Sequence, residues 1–69
     1  MTKINVHQVQ SGDVVRIHPA IDNVAESGLA TVLRRLITAR GVELVIRWNL
    51  TGIESSFDYR ASEAIEVAF

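Results

Sequence analysis

The side chains of this 69-residue chain best suited to proton transfer or metal ligation at neutral pH are its two histidines, His7 and His18. A metal would need three or four ligands gathered in space, with Asp13, Asp22 or Asp58 completing the set. Ser11, Ser27, Ser55, Ser56 and Ser62 offer hydroxyls, but no nucleophile-elbow pattern surrounds them and no spacing brings a base to one of them. They read as turn and loop serines. The carboxylate pairs Glu54/Asp58 and Glu63/Glu66 have the spacing of solvated strand ends and turns rather than of an acid and base working together. Gly12, Gly28, Gly41 and Gly52 stand apart from one another, so no phosphate-cradling loop is formed. The sequence therefore predicts neither catalysis nor a cofactor nor a metal.

The remaining chemistry is arginine, with six arginines against the single lysine Lys3. The planar guanidinium offers paired hydrogen bonds to phosphate and carboxylate and stacks on aromatic rings, which an ammonium does less well. Arg16, Arg34, Arg35, Arg47 and Arg60 fall on predicted strands and Arg40 on a predicted hairpin tip. Arg47 adjoins Trp48, and Tyr59 precedes Arg60. Arg16, Arg34, Arg35, Arg40, Arg47, Trp48, Tyr59 and Arg60 are accordingly the candidate partner-contact residues. The competing reading has the arginines paired across strands with Glu43, Glu54, Asp58 and Glu66, and Trp48 in the core.

The elements that would position these residues are short strands. Met1 to Gln10 fits neither a clean strand nor a full helix and predicts a short extended piece or a single turn. Ser11-Gly12-Asp13 predicts a turn before a β-branched strand, Val14 to His18, bounded by Pro19. Pro19 to Gly28 predicts a long irregular loop. Val42, Leu44, Ile46, Trp48 and Leu50 alternate with Glu43, Val45, Arg47 and Asn49, which predicts a strand with one buried face. Thr51-Gly52 marks a turn, Ser55 to Arg60 a strand, Ala61 to Ala64 a single helical turn, and Ile65 to Phe69 a closing strand.

Leu29 to Arg40 carries two readings. Leu29, Val32, Leu33, Leu36 and Ile37 recur at helical spacing, with Gly41 placed like a helix stop. Against this, Thr31, Val32, Ile37 and Thr38 are β-branched, and Ala39-Arg40-Gly41 suits a three-residue hairpin loop with glycine left-handed. The strand reading leads, with one condition. Consecutive Arg34 and Arg35 put an arginine on the apolar face unless a β-bulge shifts the register there. The alternative is an α+β fold, a helix at about 28–40 on a three- to four-stranded antiparallel sheet.

Composition bounds these readings. The 48% hydrophobic and 22% charged content describes a folding chain, and its length predicts a single domain over residues 1–69. Without cysteine, disulfide staples and thiolate zinc are excluded. Some of Val14, Leu33, Val45, Leu50, Ile53 and Phe69 are expected to lie outside so small a core, which favours a homo-oligomer. A net charge of −1 supplies no general field toward nucleic acid or an anionic membrane. With no spanning segment and no secretory start, the expected setting is cytoplasmic.

Gly12-Asp13-x-Val15-x-Ile17, Val45-Ile46-Arg47-Trp48 before the turn at Gly52, and Ala64-Ile65-Glu66-Val67 resemble SH3-like and Tudor-like small barrels, over about residues 11 to 69. The resemblance implies an all-β, five-stranded barrel that binds nucleic acid, peptides or neighbouring subunits. Three functions follow as expectations. The first is a non-catalytic interaction module that self-assembles or binds a protein partner. The second is a nucleic-acid-associated regulatory protein using a local arginine patch. The third is an oligomeric pore enzyme similar to the plasmid-type dihydrofolate reductase, although the Val-Gln-Ile-Tyr motif of that family is replaced here by Arg60 to Val67.

Overall fold

A computed structural model describes residues 2–17 and 28–68. Its regular elements are β1 (Thr2–Asn5), a 3₁₀ turn (Val6–Gln8), β2 (Val14–Arg16), β3 (Leu29–Thr38), β4 (Gly41–Trp48), β5 (Glu54–Arg60) and β6 (Ala64–Val67). The strands form one antiparallel sheet in the order β1-β6-β2-β3-β4-β5. The all-β class expected from the sequence holds, and the helix at 28–40 gives way to β3. The sheet has six strands rather than five, and among the described residues no pairing joins β1 to β5, so it is open there.

The alternation in β4 works as its sequence requires. Val42, Leu44 and Ile46 are at most 1% exposed, while Arg47 on the opposite face is exposed. Fully buried Val15 and Val67 from one half of the strand order share a single core cluster with Leu44 and Ile46 from the other. A flat sheet cannot gather these side chains on one side, so the sheet curls over its own inner face. Val6 and Val9 close one end of that core, each fully buried.

The register of β3 on β4 shifts between Val32 and Arg34, placing a bulge at Leu33 as the paired arginines demanded. The bulge does not keep both arginines off the inner face. It chooses between them: Arg34 pairs with outward Val45 and Arg35 with fully buried Leu44. Arg35 is accommodated at the rim, where its guanidinium donates to the carbonyl oxygens of His7 and Val9, the latter at 3.0 Å. The N-terminal segment thereby gains an anchor on β3. It is held again by Val6 N–H donating to the Glu63 carbonyl at 2.9 Å and by the Asn5 side-chain amide donating to the Ala61 carbonyl at 3.0 Å.

Other expectations need correction in detail. The Ala61-Ser62 segment is a β-turn, with Glu63 N–H donating to the Arg60 carbonyl at 3.0 Å, and not a helical turn. The last strand therefore begins at Ala64. The β3–β4 loop is Ala39-Arg40 alone, because Thr38 already pairs with Gly41. Leu50 lies beyond β4 and is 60% exposed. The end of the first predicted strand at His18, the loop from Pro19 to Ser27, and Phe69 lie outside the described residues.

Gly41 has φ +148°, and a Cβ built there would overlap the Tyr59 carbonyl oxygen and lie 2.9 Å from the Ala61 amide nitrogen. Its missing side chain is what lets the end of β5 pass close to the hairpin. Gly12, at φ +94°, has nothing within 4 Å of such a Cβ. Gly41→Ala is expected to cost about 3 kcal/mol or more, since backbone must move as well as strain, whereas Gly12→Ala costs about 1–2 kcal/mol for strain alone. Urea midpoints of the two variants against the parent check this, and equal midpoints contradict the steric account.

Candidate interaction surface

The inward direction of Leu44 and Ile46 fixes which residues of β3, β4 and β5 point outward. The registers align them in rows: Thr31 with Arg47 and Glu54, Arg34 with Val45 and Ser56, Leu36 with Glu43 and Asp58, and Thr38 with Gly41 and Arg60. Arg34, Arg47 and Arg60 therefore share one face with Glu43, Glu54 and Asp58, and with the partly exposed Val45 and Leu36. Arg47 lies 3.5 Å from Glu54, with side chains 52% and 57% exposed, so solvent screens the pair to about 1 kcal/mol or less. On β2, Arg16 lies opposite Glu66, and Glu66 opposite Lys3 on β1, which makes a second outward row of alternating charge.

Three of the eight candidate contact residues lie on the inner side of the sheet by register, namely Trp48, Arg35 and Tyr59, the last opposite buried Val42. Trp48 is 9% exposed and meets Phe57 edge-on, with ring centroids 5.9 Å apart at 84°. Its indole is a core group. Arg35 holds the 3₁₀ turn through the carbonyls already described. Arg40 stays exposed at the tip of the β3–β4 hairpin.

Tyr59 joins these features. A shallow surface depression of about 750 Å³ is lined by Arg40, Asp58, Tyr59, Arg60 and Glu63. A second, of about 360 Å³, shares Tyr59 and Glu63 and continues to Lys3, Arg16 and Glu66. The phenol packs against the core from the side, and burial together with the Glu63 carboxylate pushes its pKa up to about 12. Tyr59 therefore keeps its proton at neutral pH and offers a hydroxyl between cationic and anionic neighbours. This arrangement suits contact with polypeptide groups of both signs and provides no poised base or nucleophile.

Glu63 is the residue that the sequence reading placed in a helical turn and gave no part in the surface. Its carboxylate accepts the Arg60 backbone N–H at 2.6 Å, tying the β5–β6 turn. The signal available was its place three residues after Arg60, the spacing at which a side-chain oxygen reaches back across a turn. Lys3 was also passed over, because pairing between residues as distant as Lys3 and Glu66 leaves no local pattern. Among the described residues no three histidines or carboxylates stand close enough to hold a metal ion, and His18 and Asp22 lie outside them. No helix of the described residues is long and apolar enough to cross a membrane. Comparison with protein-family models, curated proteins and solved structures finds no match for the chain.

The differing placement of the adjacent arginines has a measurable consequence. Arg35→Met is expected to destabilise the fold by about 1–3 kcal/mol, because it strips carbonyl contacts made by a charged donor. Arg34→Met is expected to change stability by about 0.5 kcal/mol or less. Chemical denaturation of both variants separates the roles, and an Arg35→Met variant as stable as the parent removes the anchor assigned here.

Tyr59 is the only tyrosine of the chain, so absorbance at 295 nm titrates it alone. The expected midpoint is about 12 in the folded protein, against about 10 in denaturant. Its folded pKa is raised, so the protonated form favours folding, and stability is expected to fall as pH rises from about 10 through about 12. Glu63→Gln should lower the midpoint only in part, since burial is the larger cause. A folded-state midpoint near 10 contradicts the half-buried placement.

Proposed function

We propose that this chain is a non-catalytic interaction module that works through protein contacts, with itself or with a protein partner. The observation that carries the reading is the outward face of β3, β4 and β5, where successive rows alternate arginine with carboxylate and apolar groups instead of pooling positive charge. Protein surfaces of mixed sign recognise a partner by complementary charge and exclude wrong ones by repulsion. Leu36 on this face, 42% exposed, and three apolar side chains exposed at its margins, Ile37 at the inner-face end of β3 at 64% and Leu50 and Ile53 beyond β4 at 60% and 54%, add apolar contact area.

The SH3-like reading of the fold belongs to the same proposal. It is supported by the order strand, long connection, hairpin, strand, turn, strand over β2 to β6, with β3 bulged at Leu33 and β1 added beside β6. We keep the cytoplasm as its proposed setting, which the cysteine-free composition suits.

Nucleic-acid binding is weakened as a reading by how the arginines are used. Arg35 is engaged with backbone carbonyls, Arg47 with Glu54, and Arg34 and Arg60 are interleaved with Glu43 and Asp58. Counterion release from a phosphate backbone needs cations that are not already neutralised.

Sedimentation equilibrium from micromolar to near-millimolar protein, at low and high salt, together with retention on single-stranded DNA, tests the proposal. The expected result is reversible self-association, or a strict monomer that forms a defined complex with one purified protein, and no retention on DNA at physiological salt. A strict monomer that forms no such complex and binds DNA with a steep salt dependence would overturn it.

A further inference from the structure

The two edges of the sheet differ. β1 is four residues long and runs directly into the 3₁₀ turn. β5 is seven residues long, pairs with β4 without a register shift, and contains neither proline nor lysine. Among the described residues its outer edge has no strand partner. Of the devices that commonly protect sheet edges from pairing it lacks short length, bulge, proline and lysine, and carries only the charges of Glu54, Asp58 and Arg60.

The phase of that edge follows from the ladder. Trp48 N–H donates toward Ile53 on the β5 side, and Asn49 N–H toward Leu29 on the β3 side. Alternation along β4 and β5 then turns the backbone groups of Ser55, Phe57 and Tyr59 toward β4 and those of Glu54, Ser56, Asp58 and Arg60 outward. At Arg60 both outward groups are already used, its N–H by the Glu63 carboxylate and its carbonyl by the Glu63 N–H. The open stretch therefore runs from Glu54 to Asp58.

We infer that two copies of this chain associate by antiparallel pairing of their β5 edges, in the register that sets Phe57 of one opposite Phe57 of the other. The inference rests on the self-assembly form of the function proposed above. Charge decides the register. Centred on Phe57, the pairing places Glu54 opposite Arg60 of the second copy at both ends, and Ser56 opposite its Asp58 on both sides of the axis. The neighbouring registers that keep the hydrogen-bond phase are centred on Ser56 or on Asp58. The first sets Glu54 against Asp58, and the second sets Asp58 against itself, so both oppose like charges. Ser56 and Asp58 of the two copies exchange backbone bonds, while Glu63 ends the ladder at Arg60. The Arg47–Glu54 pair then becomes part of a row that runs across the interface to Arg60 of the second copy. The contact is isologous, as a two-fold dimer requires.

Two experiments on the full chain test this. In sedimentation equilibrium, Glu54→Arg or Arg60→Glu alone should weaken the dimer by roughly tenfold or more, because attraction becomes repulsion at both ends of the interface, and the double exchange should restore it. Circular dichroism and urea midpoints confirm that each variant is folded. Because the parent has no cysteine, crosslinks report the register directly. With oxidised glutathione, an equimolar mixture of Ser56→Cys and Asp58→Cys chains should form the mixed disulfide dimer well ahead of either variant alone. Efficient crosslinking of Ser56→Cys by itself, or of Asp58→Cys by itself, would overturn the register. A dimer indifferent to both single charge reversals and to mixed crosslinking would overturn the β5 interface while leaving self-assembly standing. A parent chain that is monomeric at every concentration would overturn the interface and self-assembly together.

Discussion

A chain of six strands, with neither disulfide nor α-helix among its described residues, has only one way to make a dry interior, which is to fold a single sheet over its own apolar face. Everything else in the structure serves that curl. β3 carries most of it, because it pairs with β2 through Leu29 to Thr31 and with β4 from Ala30 to Thr38. The bulge at Leu33 comes where β3 parts from the β2 side. Just before it, Val32 donates to the Asp13 carbonyl and accepts the Gly12 N–H, both at 2.8 Å. Just after it, Arg35 reaches the 3₁₀ turn. The N-terminal segment thus takes over from β2 the work of covering the inner face.

This explains why the strands were readable from sequence and the ends of the core were not. β4 shows its burial in plain alternation, since both its neighbours keep it regular. β3 mimicked a helix because its bulge puts Val32 on the inner face, Leu36 on the outer and Ile37 on the inner again, a sequence of apolar positions close to helical spacing. The same arginines that broke the strand pattern gave away the bulge. The destination of Arg35 could not be read, because the carbonyls it meets belong to His7 and Val9, some 26 to 28 positions earlier in the chain. The short extended piece or turn expected over Met1 to Gln10 is found as β1 and the 3₁₀ turn, but the partner of β1 could not be read, since its whole register lies with β6, some sixty positions later.

The candidate surface was legible as a list of residue types and illegible as an arrangement. Arg34, Arg47 and Arg60 come to one face because the register places them there, and the bulge decides that Arg34 and not Arg35 is the outward one of the two. Sequence counts alone favoured neutralised pairs over a basic patch, since opposite charges are near-equal in number, without showing which charges meet. Cross-strand rows separate these readings, since opposite charges in one row are neighbours and like charges in one row repel. Glu43 and Asp58 share a row with like sign, which leaves an unbalanced acidic spot between the rows of Arg34 and Arg60. Such a spot lowers the stability of the isolated face and raises its selectivity for a cationic neighbour.

The relation between size and association closes the argument. A domain of 69 residues has a stability of about 3–10 kcal/mol, and its core consists mostly of valine and isoleucine side chains with one indole. Any partner that binds the folded chain and not the unfolded one adds to that stability in proportion to the logarithm of its concentration. For an edge strand the gain has a second part, because pairing shields the very backbone groups through which a transiently open sheet would misassociate. On the proposed pairing, Glu54 opposite Arg60 favours the register centred on Phe57, and Asp58, set against Glu54 or against itself, rejects the registers on either side. A small sheet that leaves one long edge open then gains from having that edge recognise a single register of itself.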